Sequence, residues 1–176
     1  MNEKIVIGIE GMVAPGKTSI CKELVKMIPN SIFIDAGEIY RGIIQGIKEN
    51  NLDINNLREN ISNIDPMELM KRLKVEFKIE DNITKIYINN KKISDEKIED
   101  MENSIKVSKM ALATKSNSSN LYKFAKEVID TYRKKFNIIL SARDLVTIYP
   151  EMTYHVYITA NIDERVKRRY NQYNGK

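Results

Sequence analysis

The sequence predicts an α/β fold, a parallel sheet flanked by helices, with a small inserted lobe containing an antiparallel sheet. Three observations carry that reading. Short β-branched runs alternate with helical periods at both ends of the chain, the rhythm of parallel strands joined by right-handed crossovers. The first run leads into a glycine-bearing loop that opens a helix. Residues 73–93 then switch to alternating strands divided by Asp81-Asn82 and Asn89-Asn90, a hairpin signal that interrupts the βα rhythm.

Each element has its own warrant. Residues 4–10, KIVIGIE, have no helical period and read as a buried strand. From Lys17, Ile20, Leu24 and Met27/Ile28 recur at helical spacing until Pro29 closes the helix. SIFID at 31–35 is a second strand, and Ile39, Ile43 and Ile47 mark a helix from about Glu38 to Glu49. Asn-rich residues 50–63 read as loop with some helix. Asp65-Pro66 is a helix start, since Asp caps and Pro tolerates the first position. VEFKIE, TKIYIN and KKI supply the antiparallel strands. Ser94-Asp95-Glu96 opens one long helix with an apolar stripe of Ile98, Met101, Ile105 and Leu112, and Ser108 in line. TKSNSSN at 114–120 is a polar break before a helix carrying Leu121, Phe124/Ala125 and Val128. NIILSA (137–142) and YHVYITA (154–160) complete four core strands, and Asn161-x-x-Glu164 resembles a capping box for a helix at 162–173. The expected organisation is a core of 1–49 and 121–160, an inserted lobe at 50–120, and a final helical segment at 161–176.

Composition excludes several classes. One cysteine and one histidine in 176 residues rule out an internal disulfide framework, a Cys-rich zinc site and a His pair. No stretch approaches the ~20 apolar residues that span a bilayer. Met1-Asn2-Glu3-Lys4 and a short apolar run ending in Glu10 do not read as a signal peptide, so a cytoplasmic protein is expected. A net charge of +5, from 29 basic and 24 scattered acidic residues, suits an anionic small molecule as well as nucleic acid. Cys21 reads as core, and His155, alone in a strand, reads as a packing residue.

Gly11-Met12-Val13-Ala14-Pro15-Gly16-Lys17-Thr18, with Ser19 following, satisfies G-x-x-x-x-G-K-[ST] between a strand and a helix. In that context loop N–H groups and the helix N-terminus present positive partial charge to phosphate. Gly16 admits close backbone approach, Lys17 reaches the β and γ phosphates, and the Thr18 hydroxyl can ligate Mg²⁺. The motif implies a nucleoside triphosphate, ATP with Mg²⁺, without naming the acceptor.

The acceptor comes from further segments. Asp35-Ala36-Gly37-Glu38-Ile39-Tyr40-Arg41 lies at the carboxyl end of the second strand, where open α/β sheets bind ligands. It resembles the D-[ST]-G-x-x-Y-R segment of bacterial cytidylate kinases, members of the P-loop kinase fold. Arg143-Asp144-x-x-Thr147, with Pro150 beyond, is similar to their G-R-D-x-G-T…P segment. Asp163-Glu164-Arg165-Val166-Lys167-Arg168-Arg169 is similar to the E-E-R-x-x-R-R helix leading into their lid, and 73–93 corresponds to their monophosphate-binding insert. The resemblance covers essentially the whole chain in order.

It implies γ-phosphoryl transfer from ATP to CMP or dCMP, with Lys17, Arg143 and Asp144 as the catalytic set. Arg41 and Arg143 would hold the acceptor phosphate, Asp144 would accept from the cytosine amine, and Ser108 would touch the base. Asp35, Gly37 and Tyr40 complete the acceptor site. Arg165, Arg168 and Arg169 would close on the donor phosphates, and the lobe would close over the acceptor. The partners expected are small nucleotides, with no membrane, no nucleic acid and a monomeric state.

Plainer readings stand beside these: Asp144 as a loop cap, Ser108 back-bonding its own helix, and the basic run as a solvated face. The chain departs from the family pattern in carrying Ala14, Ala142 and Val146 where glycine is usual. No base-reading arginine follows Ser108; Asn117 and Lys123 lie nearest. Typical members continue past the equivalent of Lys176 with an R-D-x-x-D-x-x-R segment, a strand and a helix. Relative to that pattern the sequence is shortened, as a relative with altered substrate use or as a fragment. The rival functions are a P-loop kinase with another small acceptor and a degenerate paralogue that only binds nucleotide.

Overall fold

Solid β-branched runs become the parallel sheet of one unit, and the alternating run becomes the antiparallel sheet of another. The computed structural model describes residues 4–51, 65–113 and 120–174. One unit comprises Met1–Asp35 with Thr131–Lys176, the other Ala36–Asp130. Described elements run, in chain order, β1 (Val6–Glu10), α1 (Lys17–Met27), β2 (Ser31–Asp35) and α2 (Ala36–Glu49). There follow α3 (Pro66–Leu73), β3 (Val75–Glu80), β4 (Ile83–Ile88), β5 (Lys91–Lys92), α4 (Asp95–Ile98) and α5 (Met101–Ala113). The last are α6 (Asn120–Arg133), β6 (Asn137–Ala142), α7 (Leu145–Ile148), β7 (Tyr154–Tyr157) and α8 (Ile162–Asn174). Among the described residues no helix is long and apolar enough to cross a membrane.

In the first unit the parallel strands lie in the order β2-β6-β1-β7. Val6, Ile32, Ile34, Ile138, Ile139 and Leu140 are all 0% exposed. Full burial of each such side chain stabilises the fold by roughly 1.5–3 kcal/mol. The register sets Glu10 against Ala142 and Asp35 against Ser141, so three strands end within one residue of one another. The segments beginning at Gly11, Ala36 and Arg143 therefore leave from one carboxyl edge. Two expectations need correction here. The inner residues of α1 are Cys21 and Val25, while Ile20 and Met27 are exposed. Strand β7 ends at Tyr157, and its His155 is no packing residue: it is exposed, with Nε2 2.8 Å from Glu10 Oε2.

The second unit opens on α2, whose Ile39, Ile43 and Ile47 are buried as their spacing predicts. Asp65 Oδ1 accepts from the N–H groups of Met67 and Glu68 at 3.0 Å and caps α3. Both hairpin turns hold their Asp or Asn pairs at positive φ, 49° and 60° at Asp81-Asn82, 51° and 62° at Asn89-Asn90. That is the conformation two-residue hairpin loops demand.

The long helix expected from Ser94 is instead two, α4 and α5. Asn103 Nδ2 donates to the Lys97 carbonyl at 2.8 Å, taking the acceptor that a continuing helix would give to residue 101. The expected stripe is also turned: Ile98 is buried, but Met101 and Ile105 are about half exposed, and Asn103 faces inward at 1% exposure.

Candidate functional site

The loop between β1 and α1 is shaped by backbone requirements. A Cβ on Gly11 would lie 2.4 Å from the Ile158 carbonyl oxygen, so only glycine fits there. Ala14 and Gly16 take φ of 58° and 108°, which turns the chain into α1. Gly16 is the N-cap, no side chain caps the helix, and its first turn holds no acid. Thr18 and Ser19 stand exposed in that turn. The amino end of α1 is therefore open to an anion.

Lys17 bends back over the loop and donates through Nζ to the carbonyls of Gly11 and Met12, both at 2.7 Å. Burial holds its pKa below the ordinary lysine range; nearby Asp35 offsets part of that, and Arg143 adds to the lowering. Cys21 and Arg165 act more weakly on it. Cys21 is buried beneath, and burial, with Asp35 next, pushes its thiol up to about 12.

Polar side chains gather where β2 and β6 end. Asp35 Oδ2 accepts from the Ser141 hydroxyl at 2.8 Å. Arg143 is exposed. Asp144 caps α7, with Oδ1 accepting from Thr147 N–H at 3.3 Å. Glu10 Oε2 accepts from Leu145 N–H at 3.3 Å besides meeting His155.

Helix α8 contributes arginines to the loop. Asn161 Oδ1 accepts from Asp163 N–H at 2.9 Å at its start. Arg165 Nε donates to the Val13 carbonyl at 2.8 Å, and Arg168 Nη1 to the Pro15 carbonyl at 3.2 Å. Arg169 bonds Gln172 on its own helix at 2.8 Å. The first unit thus joins Lys17, Asp35, Arg143, Arg165 and Arg168 around one loop.

Gly37, Tyr40 and Arg41 belong to the second unit, on α2. Tyr40 is 9% exposed, and its ring lies 6.4 Å from that of Tyr122. Arg41 Nε is buried with no hydrogen-bond partner among the described residues, a desolvated donor that an anion would satisfy. Ser108 lies on α5, but its side chain falls outside the described residues, as does Asn117; Lys123 is exposed. Sequence reasoning missed Ser141, Glu10 and Asn103. Each is a polar residue in an otherwise apolar or unremarked stretch, and the lone serine of NIILSA was the available signal.

Among the described residues no cluster of three His, Cys, Asp or Glu side chains could hold a metal ion. Mg²⁺ keeps waters and takes phosphate oxygens, so the exposed Thr18 hydroxyl could supply a protein ligand beside a bound phosphate.

The family model described as cytidylate kinase matches residues 7–176. A cytidylate kinase of Alkaliphilus oremlandii is 30% identical over 172 residues, covering 96% of this chain and 70% of its own. Another, from Fusobacterium nucleatum, is 29% identical over 172 residues, covering 97% of this chain and 71% of its own. A solved structure, TT1252 from Thermus thermophilus, is similar over 99% of this chain and 75% of its own, at 12% identity and a TM-score of 0.44.

Proposed function

The chain belongs to the cytidylate kinase family, and from that premise we propose that it transfers the γ-phosphoryl group of ATP to CMP or dCMP. The observation that supports this most is the open amino end of α1, with Lys17 Nζ turned back over the loop and Arg165 and Arg168 donating to carbonyls of the same loop. Clustered cations at an open helix N-terminus are costly without an anion and favourable with one.

The family resemblance suggests how the roles divide. Loop N–H groups and Lys17 take the donor's β and γ phosphates. Arg165 and Arg168 already donate to loop carbonyls, and they turn their remaining N–H groups to the transferring phosphoryl. Arg143 and Arg41 hold the acceptor phosphate as charged forks. Thr18 and phosphate oxygens would hold Mg²⁺, which would supply charge neutralisation on the donor. No covalent intermediate is required; the residues position the reactants and spread the charge.

Asp144 selects the base. The bond from Thr147 N–H fixes the direction of its carboxylate. Such a group accepts from the cytosine amine and meets the uracil carbonyl as a second acceptor. Unpaired polar groups of that kind cost roughly 1–3 kcal/mol each. CMP should therefore exceed UMP in kcat/KM by about tenfold to a few hundredfold. Steady-state assays with both acceptors test this, and Asp144→Asn should shrink or invert the margin. Equal turnover of CMP and UMP would remove cytosine as the preferred base and leave a kinase of broader acceptor range.

A further inference from the structure

Ser141 has no part in the roles above, yet its placement is specific. Strand β6 sets it opposite Asp35 of β2, it is 0% exposed, and its hydroxyl donates to Asp35 Oδ2 at 2.8 Å. A hydroxyl buried in an apolar strand is tolerated only when bonded, and a carboxylate is a strong acceptor. Asp35 is the carboxylate among the groups that act on Lys17, the others being Arg143, Cys21 and Arg165. A carboxylate beside a phosphate cradle can act in two ways. Free to turn, it pairs with the lysine and competes with phosphate for its charge. Tethered, it supports the lysine's charge from a fixed distance and leaves Nζ to the loop, where Nζ meets the carbonyls of Gly11 and Met12.

We propose that Ser141 is a positioning residue for the donor nucleotide: by tethering Asp35 across the β2–β6 register it keeps Lys17 available to phosphate oxygens. The inference rests on the reading of the loop as the ATP site. Its test is a double-mutant cycle of Ser141→Ala and Asp35→Asn, with ATP affinity measured by calorimetry and turnover measured with CMP. Ser141→Ala should weaken ATP binding and raise its KM about tenfold while kcat stays within about twofold, the scale of one hydrogen bond to a charged group. In the Asp35→Asn background the same change should matter less than about twofold, because the group it tethers no longer carries charge. Unchanged ATP affinity in Ser141→Ala would overturn the proposal, and so would an equal loss in both backgrounds. Wild-type protein that binds ATP but phosphorylates no CMP would refute the kinase reading and leave the binding cycle to decide on Ser141.

Discussion

Ala14 sits in the phosphate loop with a φ of 58°, where a Cβ crowds its own carbonyl. Left-handed geometry costs a non-glycine residue about 1–2 kcal/mol, and glycine's extra freedom in the unfolded chain returns about 0.5–1 of that. Ala14→Gly should therefore raise the unfolding free energy by about 0.5–1 kcal/mol in urea titration. A loss of stability would mean the alanine is unstrained. Cys21 gives a second test. With its thiol pushed up to about 12, it stays protonated and shielded in the folded protein at pH 8. Alkylation by iodoacetamide should thus be far slower in the native protein than in urea. The folded value lies above the ordinary 9.0, so this thiol's contribution to stability is complete below pH 9 and is lost as pH rises towards 12. Equal native and unfolded reaction rates would contradict the burial.

The elements show which sequence signals are local. Hairpin turns and the Asp65 cap were legible because a few adjacent residues decide them: positive φ at Asn and Asp, a carboxylate over free N–H groups. The break between α4 and α5 was not legible, because it depends on where one side chain points. Asn103 Nδ2 reaches both the Lys97 carbonyl and Gln45 Oε1, the latter at 3.2 Å, and Gln45 Nε2 in turn donates to Glu49 at 2.8 Å. A polar seam thus replaces the apolar stripe that the spacing of Ile98, Met101 and Ile105 suggested. Asn103→Ala should cost about 1–3 kcal/mol in urea unfolding, since it strands the buried Gln45 Oε1 and the part-buried Lys97 carbonyl. Wild-type stability in that variant would show that the seam contributes nothing. The same logic explains α1, where the pattern of Ile20, Leu24 and Met27 hid the inward pair Cys21 and Val25.

Across the whole chain, the loop motif and the alternation of strands and helices were read from sequence because both are written in short stretches. Pairings over large separations were not: Glu10 with His155, 145 residues apart, and Ser141 with Asp35, 106 apart, come only from strand register. On the proposed reading, the Lys17 loop transfers phosphate to a cytidine monophosphate. The lysine side chain serves charge and not packing, so Lys17→Ala should keep the fold. The most direct measurement follows label from [γ-³²P]ATP into CDP, with CMP as acceptor, for wild type and Lys17→Ala at equal circular dichroism. Labelled CDP is expected from the wild type and essentially none from the variant. No labelled CDP from the wild type, or wild-type labelling by the variant, would contradict it.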